Sequence, residues 1–198
     1  MKFLTQKTLL KNKKFSYLVG ALMILFISIG AVYAGLMEEA KSTELREYVR
    51  NFMSVYSIEG VDKSQVFLSS LYGNIKILIM IFITGLSIYL LPLGGIFILA
   101  KCFRLGFTSA FIFRALGVKG ILYLFLSVFP VNIIFLPLLA VYYSFCMENA
   151  GKTSLLRNDT KFRMKIVVAF FVACLVGTVC SFLDGYVIPY FLKTMIMI

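Results

Sequence analysis

The sequence predicts an all-α, polytopic membrane protein of about five transmembrane helices, with a broken central region and one short extracytoplasmic amphipathic segment. Three observations predict it. Of the 198 residues 61% are apolar, and the mean hydropathy is +0.94. A soluble domain of ordinary composition is about 45–50% apolar, and a body this small cannot hide such an excess from water. The apolar residues also fall in long uncharged runs, each separated from the next by Lys and Arg. The whole chain, 1–198, reads as one membrane domain, with no internal repeat of 20–50 residues.

The elements follow in order. Residues 1–14 carry Lys2, Lys7, Lys11, Lys13 and Lys14 and no acid. Residues 15–37 are then uncharged, about 23 in a row, enough for a roughly 30 Å hydrocarbon core. Val32-Tyr33-Ala34 imitates a signal cleavage site, but a signal's apolar region is only about 7–15 residues long, so a retained first helix is expected. Residues 38–76 form the outer loop. Leu45, Tyr48, Val49, Phe52, Val55 and Tyr56 recur there at three- and four-residue spacing among charges, the pattern of an amphipathic helix. A second helix is expected to start near Asp62 or Ser64.

The second uncharged run is 77–100, closed by Lys101 and Arg104, with Pro92, Gly94 and Gly95 expected to bend or break its second half. The next stretch has two readings. Either a short tilted helix (105–118) returns through a long kinked one (121–147), or a broken span (105–129) precedes 131–147. Gly117, Lys119, Pro130 and Pro137 interrupt it. A basic cytoplasmic loop, 148–165, leads to the last span, 166–183, which Asp184 interrupts. Positive charge at the N-terminus, at Lys101–Arg104 and in 148–165 places these inside, so the N-terminus is expected in the cytoplasm and the C-terminus outside.

The net charge of +11 suits cytoplasmic loops facing anionic lipid rather than nucleic acid, for which no reading motif is present. The chain has no histidine, which removes the commonest general base and metal ligand. Cys102, Cys146, Cys174 and Cys180 form no CxxC pair and are expected as free thiols. No hydrolase, nucleotide-binding or metalloprotease motif occurs, so no catalytic residue, metal or cofactor is expected and the protein is read as a non-enzyme.

Polar residues inside apolar runs are functional candidates by default. Arg114 either snorkels from a helix end or lines a pore or lipid-phosphate site. Asn132 donates across helices or to carbonyls freed by Pro130, or else binds a ligand. Asp184 is either exposed at the interface or paired with Arg114 or Lys119.

Several short motifs in fixed order carry a resemblance. Leu91-Pro92 lies in the second run. Gly106-Phe107-Thr108 opens the central region, Ser127-Val128-Phe129-Pro130 and Val131-Asn132 mark its midpoint, and Leu136-Pro137 follows. Tyr186-Val187 and Pro189 come after Asp184. In this combination the chain resembles the stage II sporulation protein M family of endospore-forming bacteria. Many members of the wider family place a His-Gly pair after the midpoint proline and a glutamate beyond it. Here Val131-Asn132 and apolar residues stand in those places, so an activity needing that pair is not available through them.

The resemblance implies a non-enzymatic scaffold in the mother-cell or septal membrane, required for forespore engulfment. It implies two partners, stage II sporulation protein D, a lytic transglycosylase, and stage II sporulation protein P, an amidase and endopeptidase. The stripe of Leu45, Tyr48, Phe52, Val55 and Tyr56 is a candidate docking surface for them, or it rests on the membrane surface or on the protein itself. A transporter or channel subunit is the alternative, since broken helices often hold substrates near the bilayer midplane.

Overall fold

The computed structural model describes residues 6–37, 43, 47, 62–87, 89–150 and 160–190. Among them every regular element is helical. In chain order these are α1 (Gln6–Gly35), α2 (Lys63–Gly85), α3 (Leu91–Leu116), α4 (Val118–Ser127), α5 (Phe129–Ala150) and α6 (Thr160–Phe182). A single π-helical turn, Leu183–Val187, extends α6, and the chain stays helical to residue 190. Five stretches are long and apolar enough to cross a membrane: Tyr17–Gly35, Lys63–Gly85, Leu91–Leu116, Phe129–Asn149 and Met164–Tyr190.

These boundaries correct the expected ones. The run at 77–100 is not one span. Asp62 caps α2 by accepting from the Ser64 amide at 2.9 Å, so the helix starts well before the first uncharged residue and carries Lys63 and Lys76 with it. It ends at Gly85. The connection to α3 is a tight turn, with the Leu86 amide on the Ile83 carbonyl and the Leu90 amide on the Ser87 carbonyl, at 3.3 and 3.2 Å. Pro92 therefore opens a helix instead of bending one. In the first turn its missing N–H has no intrahelical partner to lose.

Residues expected to begin a new span at 105 lie in the middle of α3. That helix stops at Gly117, whose φ of 61° favours glycine. The chain turns again at Val128, and Pro130 takes the second position of α5. The last span does not end at Asp184, because the π-helical turn carries it through.

The core forms around α5. Phe135 and Leu139 are fully buried against Leu78 and Ile81 of α2, Ile98 of α3 and Ile166 of α6. Helices α1 and α3 run parallel and very close. An ideal Cβ on Gly106 would stand 2.7 Å from the Ile27 carbonyl carbon, and one on Gly30 would stand 3.0 Å from the Phe103 carbonyl carbon. Glycine at both places lets the backbones touch, which is how membrane helices gain packing without a hydrophobic drive. Helices α2 and α6 run antiparallel, with Phe82 and Phe170 ring centroids 4.7 Å apart near one end. The outward faces, including Ile24, Val32, Ile133, Phe171 and Leu175, are apolar and exposed, as lipid-facing surfaces are.

The stripe Leu45, Tyr48, Phe52, Val55 and Tyr56 lies outside the described residues. Cys102, Cys146, Cys174 and Cys180 are free, and all but Cys174 are buried.

Candidate functional site

On α2, Ser70 and Asn74 are four residues apart and share one face. Facing them across the antiparallel pair are Ser181 and Asp184, three residues apart on the last span. The π-helical turn widens the helix where Asp184 stands, and Gly185 packs there on the Phe67 backbone. Two polar stripes are thereby brought together inside an apolar bundle.

The Ser70 hydroxyl donates to Asp184 Oδ2 at 2.5 Å. Asn74 Nδ2 donates to Ser181 Oγ at 3.0 Å and reaches Ser70 Oγ at 3.5 Å. Ser181 in turn donates to the Gly177 carbonyl at 2.9 Å. Asn74 and Ser181 are buried. The chain of contacts then passes to α3. Lys101 Nζ donates to Asn74 Oδ1 at 3.0 Å and lies 4.2 Å from the centroid of the Phe135 ring. A continuous polar seam, Lys101–Asn74–Ser70–Asp184, thus ties three spans together. Both Asp184 and Arg104 act electrostatically on Lys101.

The seam gives each member a partner within the chain. The amide of Asn74 uses both ends, its oxygen on an ammonium and its nitrogen on two hydroxyls. The Phe135 ring face adds a cation–π contact for Lys101. An ammonium and a carboxylate are tolerable inside a membrane under these conditions, facing the bundle interior and each other's field. Among the described residues no group of three or more His, Cys, Asp or Glu is placed to hold a metal.

The residues singled out from sequence fall in different places. Arg114 Nη1 donates to the carbonyls of Ala34 and Gly35 at 2.6 and 3.1 Å. These are the last carbonyls of α1, where a cation also complements the helix dipole. Arg114 is thus a cap on a neighbouring helix, and Asp184 pairs with Ser70 rather than with it. The side chain of Lys119 lies outside the described residues. Replacing Arg114 with leucine is expected to lower stability by about 1 kcal/mol, the value of a typical hydrogen bond. Faster amide exchange in the last turn of α1 would accompany it. An unchanged melting temperature in detergent with unchanged exchange would contradict the capping role.

Asn132 donates back to the Val128 carbonyl of its own chain at 2.7 Å, closing the joint between α4 and α5. Phe107 stacks between Phe103 and Phe111, at centroid distances of 6.5 and 6.2 Å. Ser127 ends α4, and Phe129 lies 6.0 Å from Phe125 across the joint. Pro137 sits inside α5. Tyr186 stacks on Phe182 at 4.9 Å and packs beside Phe67, while Pro189 is buried. The motif residues therefore frame the bundle without converging on one point.

Sequence reading missed Lys101, Ser70, Asn74 and Ser181. The usable signal was the four-residue spacing of Ser70 and Asn74, matched by the three-residue spacing of Ser181 and Asp184.

A family model described as Stage II sporulation protein M matches residues 19–189. No curated protein matches the chain. No solved structure matches it either.

Proposed function

We propose, from the premise that the chain belongs to the stage II sporulation protein M family, that it is a non-enzymatic scaffold for peptidoglycan remodelling during forespore engulfment. Family and fold together make it a sporulation-related, multi-pass membrane protein. The match over 19–189 carries the reading, because it takes in all or nearly all of every span. In this reading the chain holds stage II sporulation proteins D and P at the septum.

Two features support it. The polar groups of the Lys101–Asn74–Ser70–Asp184 seam are bound to one another, which suits a rigid anchor better than a site awaiting a substrate. The basic N-terminus and the basic 148–165 segment suit the cytoplasmic side. With five spans, the 38–61 segment and the C-terminal end then face outward, where peptidoglycan lies. The stripe of Leu45, Tyr48, Phe52, Val55 and Tyr56 would meet the partners there. Changing Tyr48 and Phe52 together to aspartate is expected to reduce co-purification of proteins D and P at least tenfold. Undiminished co-purification would remove the loop as the docking surface.

A second reading, a transporter or channel subunit, draws on the Lys101–Asp184 seam, since ionisable groups within spans often mark ion paths. Solute flux into proteoliposomes that disappears with Lys101→Met would favour it.

A further inference from the structure

Arg104 stands at the middle of α3, roughly 20 Å from either end of that helix at 1.5 Å per residue. Unlike Lys101 one turn before it, Arg104 is exposed. Among the described residues it makes no hydrogen bond or ion pair. A guanidinium in the middle of a span normally faces the bundle interior or a partner. Here it points out of the bundle, about 15 Å from the nearer headgroup region of a roughly 30 Å core. That distance exceeds the reach of an arginine side chain, so snorkelling does not relieve it.

The face around Arg104 fits a helix. Leu93, Phe97, Ala100, Arg104 and Thr108 form one exposed stripe at three- and four-residue spacing. The small residues Ala100 and Thr108 flank the arginine one turn to each side and permit close approach. Charge specifies the occupant. Among the described residues three cations, Lys76, Lys101 and Arg104, share the mid-span region with one carboxylate, Asp184, and that carboxylate is already hydrogen-bonded to Ser70. A second copy docked through the same face about a two-fold axis would set Arg104 against Arg104.

We infer that this face of α3 docks the transmembrane helix of a different protein, one that carries an aspartate or glutamate within its span to pair with Arg104. The inference depends on the scaffold reading only for who that partner is.

The test uses the full chain in sporulating cells, with a benzophenone side chain at Ala100, adjacent to Arg104 on the stripe. Photocrosslinking is expected to yield an adduct with a protein whose membrane segment contains Asp or Glu. Arg104→Leu should reduce that adduct at least tenfold without lowering the melting temperature, since it removes an unpaired charge. Arg104→Lys should retain the adduct. Arg104→Glu should restore it when the partner's carboxylate is changed to lysine. If the adducted partner is protein D or P, both the interface and the scaffold reading stand. If it is another protein that passes the charge-swap test, the interface stands and the scaffold reading falls. Absence of an adduct, an adduct with a second copy of this chain, or an adduct indifferent to Arg104→Leu would overturn the inference.

Discussion

Gly106→Leu is expected to push α1 away from α3 and to produce the largest loss of stability of any single substitution in the bundle. The Cβ of residue 106 would fall against the carbonyl of Ile27, 2.7 Å from its carbon and 3.0 Å from the Ile27 Cα. Those atoms belong to backbone inside a hydrogen-bonded helix, so they cannot swing aside as a side-chain tip does. The helices must separate, and the Tyr33 ring must leave Phe103 and Phe107, its neighbours at 5.8 and 6.2 Å. Overpacking of this kind costs about 1–3 kcal/mol, and a leucine here belongs at or above the upper end. Melting of the purified protein in detergent measures it. Gly73→Leu is the control, because nothing lies within 4 Å of a Cβ at Gly73. Equal melting temperatures for the two variants would contradict the close packing of α1 and α3.

Lys101→Met is expected to come second and to show coupling with Asp184. Methionine keeps the length of the side chain and removes the charge and the donors. Asn74 Oδ1 then loses its partner, and Asp184 loses the nearby positive field. Removing one member of a buried charge pair costs about 3–5 kcal/mol. The lower end applies here, because Lys101 and Asp184 interact through Asn74 and Ser70 rather than directly. Asp184→Asn on its own should also destabilise. The double variant should be better than the sum of the singles by about 1 kcal/mol or more, since neither charge is then left without the other. Strict additivity would mean that the two groups are independent and that the seam is not a unit.

Much of the fold was legible because lipid imposes a simple rule. Long apolar runs must be helices, and the count of five spans followed from composition and charge placement. The boundaries were less legible, for a reason visible at particular residues. In the sequence, charge marks the end of an apolar run at Lys76 and at Lys101. The structure runs helices through both. Lys101 is accommodated by Asn74, Phe135 and the field of Asp184, and those come from three other helices. The sequence around Lys101 carries no mark of partners so far away in the chain. The turn at 86–90 is legible only as the break expected at Pro92, Gly94 and Gly95, a few residues too late in the chain, for the opposite reason. It contains no charge and no glycine or proline of its own, and only Pro92 just beyond it signals a helix start.

The same contrast divides the candidate site. Asp184 was legible as an isolated acid in an apolar run. Its true neighbour, Ser70, lies 114 residues away on a helix taken for part of an outer loop. Arg114 was legible as a snorkelling residue at a helix end, although which carbonyls it caps depends on how closely α1 lies beside α3. Asn132 was placed by its distance from Pro130, a local relation, and it acts locally.

The most direct test of the scaffold account is deletion of this chain's gene in its source organism, followed by induction of sporulation and microscopy with a membrane dye. The account predicts that septa form, that the mother-cell membrane fails to migrate around the forespore, and that the intact gene restores migration. Normal engulfment in the deletion strain, with no second copy of the gene present, would contradict the account and leave the transporter reading in its place.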